Sequence, residues 1–149
     1  MTSPDVSSRV LDELGIALEP QSQQPGIELR LALEQDNLFG PVIAFSFGAM
    51  AMEVWGDVTY RIVPLETRDA RSMVREPVAA RRLLGGYREA PAPDVALIEA
   101  AILRLSRYAV EHPEHPEIEL EPLIARPDGL YAKAARVAGA GPARGGGGA

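Results

Sequence analysis

"IELRLALEQDNLFGPVIAFSFG", residues 27–48, carries the clearest structural signal in the chain. Ile27, Leu29, Leu31 and Leu33 alternate with Glu28, Arg30 and Ala32. A strand projects successive side chains to opposite faces, so this period of two predicts one apolar and one polar face. "DNLFGP" breaks the pattern with turn residues, and "VIAFSFG" follows as a second, more apolar strand. The pair predicts a β-hairpin.

Working outward, "GDVTYRIVPL" is rich in β-branched and aromatic residues and predicts a further strand. "TRDARSMVRE" predicts a helix, with Thr67 as N-cap, Asp69 in the first turn, and Ala70, Met73 and Val74 at helical spacing. Pro77 ends it. "AARRLLGGYR" predicts a short helix closed by Gly85 and Gly86. From Asp94, "DVALIEAAILRLSRYAVE" is the strongest helical pattern, its stripe being Ile98, Ala101, Ile102, Leu105 and Ala109. "IELEPLIA" and "LYAKAARV" then flank Pro127, Asp128 and Gly129, which predicts a second hairpin. On the N-terminal side, "QSQQPG" is a loop, "VLDELGIALEP" is too short to assign, and the first eight residues are polar and expected to be loose. Strands, then helices, then strands predict an α+β fold with a mixed or antiparallel sheet and flanking helices. The division expected is a poorly defined segment at 1–25, one domain at 26–137, and a disordered Gly-rich tail at 138–149.

Composition bounds the function. The chain has 149 residues, enough for one domain with a substantial core. A net charge of -6 argues against nucleic acid or an anionic membrane as the main partner. There is no cysteine, which excludes disulfides, thiol nucleophiles and thiolate metal sites. No apolar run is long enough to span a bilayer and the N-terminus lacks a secretory pattern, so a cytoplasmic location is expected.

The candidate sites each have two readings. Glu119 and Glu121 stand two apart, which on a strand puts them on one face roughly 7 Å apart at Cα. They could converge on a hard cation such as Mg²⁺, or form the wet face opposite Ile118 and Leu120. No G-x-x-x-x-G-K-[ST] or G-x-G-x-x-G phosphate loop is present. His112 and His115 are three apart, each before a proline in a breaker segment; they could hold a metal, but surface histidines are the expected reading. Arg81, Arg82 and Arg88 could bind an anion or form a solvated helix face, the latter being the expected reading, and Met50 and Met52 suit core filling rather than a ligand.

Taken in order, "PGIELRLALEQDNLFGPVIAFSFGAMAMEVWGDVTYRIVPLETRDA", "LLGGYR" and "EIELEPLIARPDGLYAKAARV" resemble the second half of the ATP-grasp domain of NDP-forming acyl-CoA synthetases, relatives of ADP-forming acetyl-CoA synthetase and succinyl-CoA synthetase. The family pattern runs through a G-x-E-L strand, F-G-P-V, V-E-V, D-V-x-F-R-x-x-P-L, L-L-x-G-Y-R-G and E-L-D-I-N-P-L-x-x-x-P-D-G-x-x-x-x-D-A-R. The resemblance implies an ATP-grasp C-terminal lobe, acid–CoA ligase chemistry by phosphoryl transfer, and Mg²⁺ with ATP as cofactors. It implies nucleotide contacts at Glu28, Glu53 and Arg61. It implies metal ligation at Glu119 and Glu121, which fall on the Asp and Asn of D-I-N-P.

Ala134 falls on the Asp of D-A-R and brings no donor atom, while Ser46 and Ala49 replace family glycines. The first lobe with its phosphate-binding lysines, the CoA-binding segment and the phosphohistidine segment are not among the matched stretches. The resemblance therefore implies a lobe that is incomplete and inactive alone, with a separate chain carrying those parts as partner. The alternative is a degenerate, non-catalytic binding or regulatory module of the same fold.

Overall fold

The computed structural model describes residues 4–139. In chain order the elements are α1 (Pro4–Leu14), β1 (Ala17–Leu18), β2 (Ile27–Asp36), β3 (Gly40–Ser46), α2 (Ala49–Trp55), β4 (Val58–Ile62), α3 (Thr67–Arg75), α4 (Ala80–Leu83), α5 (Val95–Glu111), β5 (Glu117–Arg126), β6 (Gly129–Ala132) and β7 (Ala135–Ala138). The strands form one mixed sheet in the order β1-β6-β5-β2-β3-β4, with β7 also on β5. The β1–β6 pair is parallel and the other named pairs are antiparallel. The expected fold class is the one observed.

The alternation in β2 sets the layers. Leu29, Leu31 and Leu33 are buried on one face, where Leu31 faces Phe45 on β3 and Leu120 on β5. Against this face pack α1, α3 and α5, and Ile98, Ala101, Ile102 and Leu105 of α5 join the core as their spacing predicts. Fully burying a Leu, Ile or Phe side chain contributes about 1.5–3 kcal/mol each, which is what holds the helix layer to the sheet. The opposite face carries Glu28, Arg30, Ala32 and Glu34 of β2, and the short α2 packs beside it on β3. No helix among the described residues is long and apolar enough to cross a membrane.

β5 holds the feature that shapes the open face. Its register with β2 runs Leu31↔Leu120 and then Leu29↔Leu123, so the single residue Arg30 faces the pair Glu121 and Pro122. This is a β-bulge, which bends a strand and re-aims side chains. At the same level the partner stretch breaks into β6 and β7, because Lys133 and Ala134 leave regular pairing. The N–H of Lys133 donates to the carbonyl of Pro122 at 2.9 Å, and that of Glu121 to the carbonyl of Ala134 at 3.3 Å.

Several local expectations are revised. "LYAKAARV" is two strands rather than one. The α3 N-cap is Glu66, not Thr67; its carboxylate and that of Asp69 form a reciprocal capping box. Met50 is 64% exposed rather than buried, because α2 touches the sheet by its other side. Residues of the N-terminal segment build α1, whose Val10, Leu11 and Leu14 are buried against the core, with Ile16 following. The expected tail falls, from residue 140 onward, outside the described residues.

Candidate functional site

The open sheet face gathers charge at its centre. Arg30 comes from β2 at a polar position of the alternation, yet its residue is only 8% exposed. Its Nε donates to Glu119 Oε2 at 3.1 Å, and its Nη2 lies 3.0 Å from the same oxygen. Nη2 also lies 3.6 Å from Glu34, and Nη1 donates to the sulfur of Met52 on α2 at 3.3 Å. The register explains the convergence: Glu119 stands opposite Ala32 on one side and Arg136 of β7 on the other. Arg136 forms a second ion pair, with Glu119 Oε1. Glu119 is thus held between two guanidinium groups.

Glu121 is half-buried in the bulge, beside the carbonyl of Ala134. The burial alternation of Ile118, Glu119, Leu120 and Glu121 sets both glutamates apart from the core residues Ile118 and Leu120. Ala134 is exposed and contributes no side-chain donor. Glu28 is exposed on the same face and its carboxylate reaches the turn from β3 into α2, where a Cβ on Gly48 would lie 3.6 Å from Oε2. Gly48 has φ 91°, a conformation that L side chains rarely adopt, and the Ser46 hydroxyl donates to its carbonyl at 2.9 Å. Glu53 is exposed on α2.

Arg61 belongs to β4, at the edge of the sheet. Across the register with β3 it stands opposite Ile43, a core-face position. Its Nη2 donates to the Ser72 hydroxyl at 3.0 Å and pairs with Glu76 at 2.6 Å, both belonging to the α3 region. The structure therefore brings Glu28, Glu119 and Glu121 onto one face, puts Glu53 on the adjoining helix, and pairs Arg61 with the α3 region while it also lines the groove at the sheet's edge. Arg30 and Arg136 are the residues that sequence reading passed over. Arg30 sits at a polar position of the quoted alternation, and Arg136 is the arginine of the D-A-R pattern.

At the end of the face near the β2–β3 turn, Glu34, Gln35, Asp36, Phe39, Val42, Tyr60, Arg61 and Ile62 line a groove of about 400 Å³. Tyr60 and Ile62 are 50% and 51% exposed. At the far end Arg126 stacks on the Tyr131 ring at 3.7 Å and pairs with Glu19 at 3.0 Å. Burial works to lower the Arg126 pKa, but its hydrogen bonds to Tyr131 and Glu19 outweigh that and the net shift is upward. A groove that mixes Phe39, Val42, Tyr60 and Ile62 with charged residues, on the same face as paired arginines and carboxylates, suits a ligand with a ring at one end and anionic oxygens at the other.

A family model for the ATP-grasp domain matches residues 8–138. An ADP-forming acetate–CoA ligase (I) of Archaeoglobus fulgidus is 41% identical over 98 residues, which is 66% of this chain and 14% of that protein. The beta subunit of the ADP-forming acetate–CoA ligase I of Pyrococcus furiosus is 31% identical over 112 residues, 75% of this chain and 48% of that subunit. Among solved structures, the apo form of dinucleotide forming acetyl-coenzyme A synthetase 1 of Ca. Korarchaeum cryptofilum superposes with a TM-score of 0.74 at 37% identity, covering 80% of this chain and 56% of that one. The same protein in complex with coenzyme A and Mg-AMPPCP gives 0.70 at 38% identity, covering 77% and 54%. This chain thus spans about half or less of the length of these relatives.

Proposed function

The chain belongs to the ATP-grasp domain family, and we propose that it supplies one wall of the nucleotide cleft of an ADP-forming acyl-CoA synthetase, the other lobes coming from further polypeptide. It is homologous to the beta-subunit region of ADP-forming acetate–CoA ligases and spans part of it. The observation that carries the reading is the uncovered face, where Arg30, Glu119 and Arg136 meet at the bulge that holds Glu121.

In this reading Arg30 and Arg136 attract the phosphates, and charged groups fixed in place before the ligand arrives orient it without further reorganisation. Glu28 and Glu53 flank the Gly48 turn and contact the nucleotide. Arg61 supports the cleft indirectly, by holding β4 to α3. Glu119 and Glu121 offer the oxygen donors that Mg²⁺ takes. They belong to no cluster of three ligating side chains among the described residues, and Glu119 is shared with two arginines. They therefore fit a Mg²⁺ that arrives on phosphates and needs only one or two protein carboxylates. Bound there, the ion would neutralise phosphate charge. The acyl partner, CoA and a phosphohistidine would be met by parts that lie beyond this wall.

Titration calorimetry of the purified chain with Mg-ATP tests the proposal. A single wall exposes its contacts to water, where charge pairing contributes little. The expected Kd is on the order of 1 mM or weaker, near 4 kcal/mol. Micromolar binding that disappears in Glu121→Ala would show a whole site and overturn the incomplete-wall reading. If a partner chain completes the cleft, Ala134→Asp tightens Mg-nucleotide binding in the mixture and changes little in the chain alone. The second reading, a non-catalytic module, is favoured by one observation: the position of the second family carboxylate is an exposed methyl group at Ala134. It predicts that Ala134→Asp changes nothing in either setting.

A further inference from the structure

In the helix layer, on the side of the sheet away from the open face, α5 ends at His112 and the chain turns back toward β5 through Glu114 and His115. We propose that His112, Glu114 and His115 form a binding site for a divalent transition-metal ion of the Zn²⁺ type. Their ligand atoms lie within 4.8 Å of one another. His112 Nδ1 and Glu114 Oε2 are 3.0 Å apart. That is close to the edge of a tetrahedron with bonds of about 2.0–2.1 Å, whose ligand atoms stand roughly 3.3 Å apart. An ion entering between them would replace the present hydrogen bond with little movement of either group.

The surroundings are those of a held ligand set rather than of free surface histidines. Tyr108, 5% exposed, packs its ring on His112 at a centroid distance of 4.1 Å and an interplanar angle of 20°. The same ring lies parallel to His115 within 5°. The Tyr108 hydroxyl is 2.7 Å from His115 Nδ1. With a metal on Nε2, Nδ1 carries the proton and donates it to that hydroxyl oxygen. A partner on the second ring nitrogen is how metal-binding histidines are usually fixed in tautomer and orientation.

Charge points the same way. His112 also belongs to a second triad with Glu13 of α1 and Glu111 of α5, again within 4.8 Å, so carboxylates surround this imidazole on more than one side. The C-terminal turn of α5 holds no basic residue, and a helix C-terminus carries partial negative charge that favours a cation. Arg9 is a positive group that acts on the neighbouring Tyr108. Two imidazoles with a carboxylate select Zn²⁺ and its neighbours over Mg²⁺ or Ca²⁺, which take oxygen ligands. The ion would tie the end of α5 to the approach to β5.

The test is a titration of the full, untagged, chelator-stripped chain with Zn²⁺, paired with Co²⁺ absorption as a report of coordination. His112 and His115 are the only histidines in the sequence, so the variants remove all imidazole. The expected result is one saturable Zn²⁺ per chain at micromolar Kd, a low-symmetry Co²⁺ visible band, and a rise in Tm of roughly 5–10 °C at a hundredfold excess over Kd. His115→Gln and Glu114→Gln should each weaken binding by about tenfold or more. Circular dichroism confirms that each variant is folded, and Glu114, being exposed, is the safer of the two. Saturable binding that is unchanged in folded His112→Gln/His115→Gln, binding only at millimolar Zn²⁺, or Mg²⁺ binding as tightly as Zn²⁺ would each overturn the proposal.

Discussion

The two faces of β2 lie one residue apart and have opposite fates. Leu29, Leu31 and Leu33 point into the helix layer and are at most 2% exposed. Arg30, between them, is also almost buried, at 8%, but it is held by Glu119, Glu34 and Met52 instead of by apolar packing. On one face burial is satisfied by hydrocarbon, which is non-directional and insensitive to charge. On the other it is satisfied by ion pairs, which are directional and can be exchanged for a charged ligand. The core face specifies the fold, and the open face keeps groups that a partner or ligand can recruit.

The largest test of that contrast is Leu31→Ala, which should cost about 2–5 kcal/mol in guanidinium unfolding. A cost below about 1 kcal/mol would mean that the core face tolerates a cavity at its centre and that the contrast is overdrawn. Arg30→Ala should cost less, about 1–3 kcal/mol, since it leaves Glu119 with Arg136 as its remaining ion partner. The double variant Arg30→Ala/Glu119→Ala should recover part of that loss, and strict additivity of the two single losses would show that the pair is not coupled. Arg136→Ala removes a side chain that is 78% exposed and should change stability by less than about 1 kcal/mol.

The smallest effect is in the helix layer and depends on pH. Burial, followed by the charges of Glu13 and Glu114, raises the Tyr108 pKa above 10.0. The folded state therefore holds the phenol proton more tightly than the unfolded state does. Its contribution to stability is full below pH 10 and is lost as pH rises through the folded pKa. Urea unfolding from pH 9 upward should show a steeper alkaline loss in the wild type than in Tyr108→Phe. Equal slopes would remove Tyr108 from the alkaline limb. At the acid end, the hydrogen bond from His112 lowers the Glu114 pKa, so that pair stabilises above the usual carboxylate range and weakens as pH falls through the lowered value.

Much of the fold was legible locally. The period-two run at Ile27 to Leu33, the helical stripe from Ile98 to Leu105 and the Pro127-Asp128-Gly129 turn each depend on neighbours in sequence, and each became the expected element. The ordered series of family segments was legible for the same reason and agrees with the match over residues 8–138. Glu66 as N-cap was harder, because a capping box with Asp69 uses a residue type that is less common at that position than the adjacent Thr67. The N-terminal helix was hidden by its length: α1 is marginal alone, and only its burial against the core makes it persist.

The site was legible in part. That Glu119 and Glu121 share a strand followed from their spacing, and the strand's alternation sets them apart from the core. Their partners did not follow. Arg30 is 89 residues from Glu119 in sequence, and which residues meet across β2 and β5 is set by a register containing a one-residue bulge. A shift of one position would reverse every facing pair, so no local pattern could reveal it. The partners of Arg61 were hidden for a similar reason: its pairing with β3 opposite Ile43 brings its guanidinium to Ser72 and Glu76. The imidazole cluster is the converse case. Its spacing stood in the sequence, but the packing of the Tyr108 ring against both His112 and His115, and the approach of Glu13 from α1, exist only because the helix layer folds against the sheet. Local chemistry determined the elements and the family, while long-range register and packing decided which charges became neighbours.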